Sequence, residues 1–167
     1  KKNKDILNKI ELVNYLKLLD IGAAGEIKEN WKQFEPILDY VGIEPDEDNY
    51  NKILEKKNIC KSYKIFNEGL WDKKTSLDLN ITKKRTNSSI LEPNFDILNS
   101  FPDPERFKIL EKKKVSLTTL DELEIKNIDF IKVDTQGSEL NILNGSANSL
   151  KNVLGFEVEV SFIKIYK

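Results

Sequence analysis

The stretch from Leu16 to Gly25 constrains the fold more than any other. Leu16-Lys17-Leu18-Leu19-Asp20-Ile21 is a short apolar run that closes on Gly22-Ala23-Ala24-Gly25, and apolar residues at helical spacing follow from about Ile27 to Leu38. Strand, glycine turn and helix form the opening unit of a parallel sheet. The pattern then repeats. Tyr40-Val41-Gly42-Ile43-Glu44-Pro45 is an apolar run ended by an acid and by a proline, which lacks the N–H that a central strand needs. A polar helix is predicted from Asp48 to Lys57, with Tyr50, Ile53 and Leu54 on its inner face, and a third strand from Ser62 to Asn67. Parallel neighbours cannot be joined by tight hairpins, so this β-α-β-α-β order demands crossovers and helices on both sheet faces.

Ahead of this unit, Ile6, Ile10, Val13 and Leu16 predict a leading helix over residues 1–15. Residues 71–104 break the rhythm. Thr75 to Ile81 alternates like an additional strand, while Thr86–Ser89 and Glu92–Asn94 read as loop, as in an insertion or lid. Beyond it come Lys114–Leu117, a short helix around Leu120–Leu123, a major strand Ile128–Asp134 and a Gln136-Gly137 turn. A helix over Ser138–Leu150 and a fifth core strand over Val153–Phe162 complete the chain. The expected fold is α/β, a Rossmann-like, mainly parallel sheet in a three-layer α/β/α arrangement. The chain's 167 residues suit one domain of about 100–200 residues.

Composition removes several function classes. Lys and Arg number 27 against 28 Asp and Glu, for a net charge of −1. That balance disfavours a sequence-independent nucleic-acid binder, which needs a basic excess to neutralise phosphates. The chain has no histidine, so any general base must come from Asp, Glu, Lys or Tyr. Cys60 is the single cysteine, which rules out a disulfide framework within the chain and fits a reducing compartment; a cytoplasmic location is the expectation. No apolar run approaches the ~18 residues of a spanning helix. The charged opening Lys1-Lys2-Asn3-Lys4-Asp5 is not followed by a signal-peptide core, and the chain does not begin with Met.

Candidate site residues gather at predicted strand tips. Gly22 and Gly25, with Ala23 between them, let the backbone turn sharply and approach a ligand, and Glu44 stands at the second strand tip, where carboxylates bind ribose hydroxyls in such folds. A dinucleotide site would show G-x-G-x-x-G, but Ala24 takes the place of the second glycine. Asp20 would repel a pyrophosphate and suits a cationic ligand such as S-adenosylmethionine. The competing structural explanation is a tight turn that binds nothing. Lys132, Asp134, Glu157 and Glu159 lie on strands that should be apolar if central, so these charges need partners; a Lys–carboxylate cluster and a purely structural ion-pair network both meet that need. Glu139 fits the positive end of a helix dipole, Trp31 and Trp71 fit packing, and Cys60 fits an inert position before a strand.

In order and spacing these segments resemble the FkbM family of S-adenosylmethionine-dependent methyltransferases, from about Lys17 to Tyr166. The resemblance rests on Leu19-Asp20-Ile21-Gly22-Ala23, Gly42-Ile43-Glu44-Pro45, Ser88–Asn94, Thr119-Leu120-Asp121, Ile128–Glu139 and Gly155–Glu159. The commoner family pattern has a glycine six residues after the Asp; here Glu26 stands there and Gly25 comes one residue early. The resemblance implies a class I methyltransferase fold with S-adenosylmethionine over the turn from Asp20 through Gly22 and Ala23 to Gly25. Glu44 and Pro45 would lie by its ribose, Asn67 and Glu68 by its adenine, and Asp134 near methyl transfer. It also implies a hydroxyl on a sugar or secondary metabolite, hence a small-molecule or glycan acceptor. Asp134 is the preferred base, with Glu159 and Glu157 as alternates and Lys132 as an orienting or charge-balancing partner. A metal is not required, although these carboxylates suit a hard divalent ion. Such sheets usually end in a reversed hairpin for which no residues remain, so a truncated sheet with an open edge at Val153–Phe162 is expected, along with a tendency to form homo-oligomers there. The rival functions are an inactive binding or scaffold module and an NAD(P)-dependent reductase.

Overall fold

The computed structural model describes residues 15–25, 27–56 and 58–167; the expected leading helix lies almost wholly outside them. Along the chain come β1 (Leu16–Ile21), α1 (Glu29–Lys32), β2 (Leu38–Ile43), α2 (Glu47–Leu54), β3 (Ser62–Phe66), β4 (Gly69–Leu70) and β5 (Thr75–Thr82). There follow α3 (Phe95–Leu98), β6 (Ile109–Thr118), β7 (Phe130–Val133), α4 (Glu139–Asn144) and β8 (Gly155–Val158). The main sheet is five-stranded and parallel throughout, in the order β3-β2-β1-β7-β8. The α/β class and parallel sheet therefore stand as expected.

Alternation along the strands builds two cores. Leu19, Ile21, Val41, Ile43, Ile131 and Val133 face one side, where Leu120, ahead of a 3-10 turn, and Ile142 of α4 cover them. Leu18, Leu38, Tyr40 and Ile65 face the other side, under Ile53 of α2 and Trp31 of α1. Each fully buried Leu or Ile contributes roughly 1.5–3 kcal/mol, so both layers hold the sheet. Across the second face, register aligns Ile65, Gly42, Asp20, Lys132 and Glu157 in one row.

Several elements are shorter than their patterns suggest. The helix predicted over Ile27–Leu38 is reduced to α1 and a 3-10 turn at Glu35–Ile37, since Pro36 has no N–H and its ring clashes with the preceding turn. Leu38 instead opens β2. The helix predicted over Ser138–Leu150 stops at Asn144, where Gly145 packs so tightly on the Trp71 backbone that a Cβ would overlap the Trp71 carbonyl oxygen. A separate 3-10 turn follows at Ser149–Asn152. The last strand is confined to Gly155–Val158, matching the four residues of β7, and Val160 and Phe162 are exposed beyond it.

Of the residues expected to form an insertion, Thr75–Thr82 supplies β5 of a second sheet, β4-β6-β5, whose other two strands flank that region; β5 and β6 pair antiparallel. Lys114–Leu117, read as a resumption of the main rhythm, belongs to the ten-residue β6 of this sheet. Tyr166 returns to pack with Leu98 and Phe107 in a small third core. Among the described residues no helix is long and apolar enough to cross a membrane.

Candidate active site

From β1 the chain winds outward to β2 and β3, then returns to place β7 on the other side of β1. At such a reversal the crossovers leave on opposite faces, and a crevice opens beyond the carboxyl ends of the strands. Backbone hydrogen bonds join the three tips here. The N–H groups of Gly22 and Ala23 donate to Ile43 O at 3.0 and 3.1 Å, and Asp134 N donates to Ile21 O at 3.0 Å. Gly22 has φ +81°, and a Cβ there would overlap the Asp134 carbonyl oxygen. Glycine is thus demanded by the approach of β7. Gly25 has ordinary φ and open space where a Cβ would stand, so its local backbone makes no such demand.

Two cavities meet at this crevice. The first, of about 80 Å³, is lined by Gly22, Glu44, Pro45, Glu68, Asp134 and Ser138. The second, of about 440 Å³, shares Gly22 and Asp134 and adds Ala23, Gly25, Lys28 and Glu159. Asn67 stands beside the first, its amide donating to Glu44 O at 2.9 Å. Glu44 is buried and accepts from Asp46 N at 2.9 Å; burial pushes its carboxyl up to about 7. Ser138 Oγ is buried without a hydrogen-bond partner on the same cavity.

Beneath the crevice, Asp20 and Lys132 are each only 4% exposed and pair at 2.6 Å, while Tyr40 Oη donates to Asp20 at 2.8 Å. Burial pushes the Asp20 carboxyl up, with Lys132 and Tyr40 pulling against it. Asp134 and Glu159 form a second acidic group. Gln136 Nε2 donates to Asp134 at 3.0 Å and to Glu159 at 2.7 Å, and Lys28 lies 3.3 Å from Asp134. The adjacent Asp134 carboxylate, aided by burial, raises Glu159 to about 7. Burial pushes Asp134 up as well, but hydrogen bonding with Glu159, Lys132, Gln136 and Lys28 outweighs it and holds Asp134 below the usual carboxylate range. The pair therefore shares one proton near neutrality, held mainly by Glu159. Among the described residues no group of three or more His, Cys, Asp or Glu side chains is placed to hold a metal ion.

The model of the methyltransferase FkbM domain matches residues 20–167. This chain belongs to the FkbM methyltransferase family. The crystal structure of methyltransferase FkbM from Methylobacillus flagellatus shares its fold, with a TM-score of 0.51 at 17% identity, over 86% of this chain and 32% of that one. The chain thus spans less than a third of that structure's length. No curated protein matches it.

The residues singled out from the FkbM resemblance divide into those at the crevice and those behind it. Asp20, Gly22, Ala23, Gly25, Glu44, Pro45, Glu68, Lys132, Asp134 and Glu159 border the cavities. Glu157 instead turns toward α1, accepting from Asn30, Trp31 and Lys28 at 3.0, 3.1 and 3.2 Å. Burial pushes its carboxyl up, but these bonds prevail and hold it low. Glu139 closes the turn after β7 by accepting from Thr135 N and Gly137 N at 2.9 and 3.1 Å. Gln136, Ser138 and Lys28 were not anticipated. For Gln136 the signal was present: a long amide side chain before a glycine, at the turn two residues beyond Asp134. Its φ of +59° aims it back over the acids.

Proposed function

We propose that the chain binds S-adenosylmethionine at the crevice and belongs to an enzyme that methylates a hydroxyl of a sugar or other secondary metabolite. The observation that carries this reading is the convergence of Gly22, Glu44 and Asp134, from three neighbouring strand tips, on one cavity at the sheet's reversal point. Membership of the FkbM family supports methyl transfer. The acidic lining supports a cationic nucleoside over a pyrophosphate.

The residues fit that cofactor. The buried Glu44 carboxyl lines the cavity and can accept from a ribose diol, and the unpartnered Ser138 Oγ offers a further contact. The first cavity is smaller than a nucleoside, so the ligand also occupies the adjoining space. When bound, the cofactor supplies an electrophilic methyl group on a sulfonium. Asp134, with Glu159 beside it, receives the proton of the acceptor hydroxyl, and Gln136 holds both carboxyls in place. Lys28 and Lys132 balance their charge.

Isothermal titration of the intact chain with S-adenosylmethionine and S-adenosylhomocysteine tests the reading. Saturable binding to the chain, much weakened in Glu44→Ala, is expected. Absence of binding to the folded chain, or equal binding by the variant, overturns it.

A further inference from the structure

The larger cavity is lined by charges of both signs. The Asp134–Glu159 pair comes from the main sheet; Lys84, Asn87 and Arg106, from the margin of the second sheet, line the same cavity. Lys84 N donates to Arg106 O at 2.9 Å, so the two cations sit on hydrogen-bonded neighbouring segments, and Asn87 N donates to Lys84 O at 2.7 Å. Among the described residues neither Lys84 nor Arg106 makes an ion pair. The cavity's other cations are committed, Lys132 to Asp20 at 2.6 Å and Lys28 to Asp134 and Glu157 at 3.3 and 3.2 Å.

Hydrogen bonding points the same way. Arg106 Nε and Asn87 Nδ2 are buried with no partner, although buried donors are nearly always satisfied. Asn87 is 9% exposed, and its carbonyl accepts from Tyr166 Oη at 2.9 Å, which fixes its segment. Among the described residues Lys84 and Arg106 lack ion pairs, although Arg106 rests over the Phe107 ring at 5.0 Å, and the buried donors Arg106 Nε and Asn87 Nδ2 lack partners. Such a set suits an acceptor-rich anion, and a guanidinium recognises carboxylate and phosphate alike.

We propose that Lys84, Asn87 and Arg106 bind a carboxylate or phosphate group carried by the methyl acceptor, whose hydroxyl then faces Asp134 and Glu159. Only the assignment of this anion to a methyl acceptor rests on the function proposed above; the anion site does not. The substrate class is thus a hydroxylated acid or a phosphorylated sugar rather than a neutral sugar.

Titration of the intact chain with D-glucuronate, D-glucose 6-phosphate and D-glucose tests this. At least one anion should bind about tenfold or more tightly than glucose, and which one does identifies the group. Arg106→Gln and Lys84→Gln should each reduce that affinity about tenfold and leave S-adenosylhomocysteine binding unchanged. Lys112→Gln, whose native ammonium pairs with Glu92 at 2.6 Å, should change neither. Circular dichroism melting confirms that each variant folds, and the exposed Lys84 provides a test even if Arg106→Gln does not. Equal affinity for glucose and both anions, or full anion affinity in both variants, overturns the proposal. So does selective loss of S-adenosylhomocysteine binding in Arg106→Gln, which gives the site to the cofactor's own carboxylate. Anion binding through Arg106 in a chain that binds no S-adenosylmethionine supports the anion site and overturns only the methyl-transfer reading.

Discussion

Lys132 Nζ lies 2.6 Å from Asp20 Oδ1, at directly paired positions of β7 and β1. Both side chains are buried, so removing either leaves a charge in apolar surroundings. Lys132→Met should lower the unfolding free energy by about 3–5 kcal/mol, and the double variant Asp20→Asn/Lys132→Met should recover much of that loss. Urea denaturation measures both. Unchanged stability in the single variant would remove the pair from the scaffold.

The left-handed backbone at Gly22, together with its packing on the Asp134 carbonyl, makes it the least replaceable glycine of the turn. Gly22→Ala should cost about 2–4 kcal/mol, combining αL strain with overlap. Gly25→Ala, in open space, should stay within about 0.5 kcal/mol. Thermal and urea unfolding of the two distinguish backbone demand from composition; equal losses would contradict it.

Glu44 titrates near 7 in the folded protein against an ordinary value of 4.5. Between those values the folded state holds more protons than the unfolded chain. Its contribution is therefore present below about pH 4.5 and lost as pH rises through 7. Glu44→Gln removes this dependence, and at pH 8 the variant should be more stable than the native chain by on the order of 2–3 kcal/mol. Urea midpoints at pH 5 and pH 8 check the sign. A variant less stable at pH 8 would show that the carboxylate has donors enough.

The proton shared by Asp134 and Glu159 should appear in turnover. Activity is expected to rise through about pH 7, as Glu159 loses its proton and the pair becomes a stronger base. Glu159→Gln should move this limb below pH 5, toward the range of an isolated Asp. A pH–rate profile of each form measures the shift, and an unmoved limb would assign the titration elsewhere.

Arg85 forms an ion pair with Asp46 at 2.8 Å and with Asp48 at 2.7 Å, tying the second sheet to the loop that follows Glu44. Asp46 is buried, and Lys113 at 3.6 Å is its remaining cation among the described residues. Arg85→Met should therefore cost about 2 kcal/mol and weaken nucleoside binding at the neighbouring cavity. Calorimetry and titration read the two effects separately, and a neutral variant would limit the pair to the surface.

The features legible in the sequence were those governed by local pattern. Apolar runs closed by Glu44-Pro45 and Gly22 marked strand tips, and crossover logic placed those tips on one edge. Helix lengths escaped because packing shortened them at Pro36 and Gly145. Lys132 read as a candidate for chemistry because burial cannot be separated from function without knowing that Asp20 lies directly across. Glu157 and Glu159, two residues apart, parted because Glu159 lies beyond the end of β8 while Glu157 remains in register with Lys132. Arg85 and Arg106 carried no signal, since their roles depend on how the second sheet folds against the first.

Tyr166 Oη lies 2.9 Å from Asn87 O and 3.0 Å from Gln136 Oε1 and shares its one proton between these acceptors, and Gln136 in turn holds Asp134 and Glu159. Tyr166 is thereby wired to the chemistry: a change at this position, far from Asp134 in sequence, loosens Gln136 and so disturbs the proposed proton acceptor.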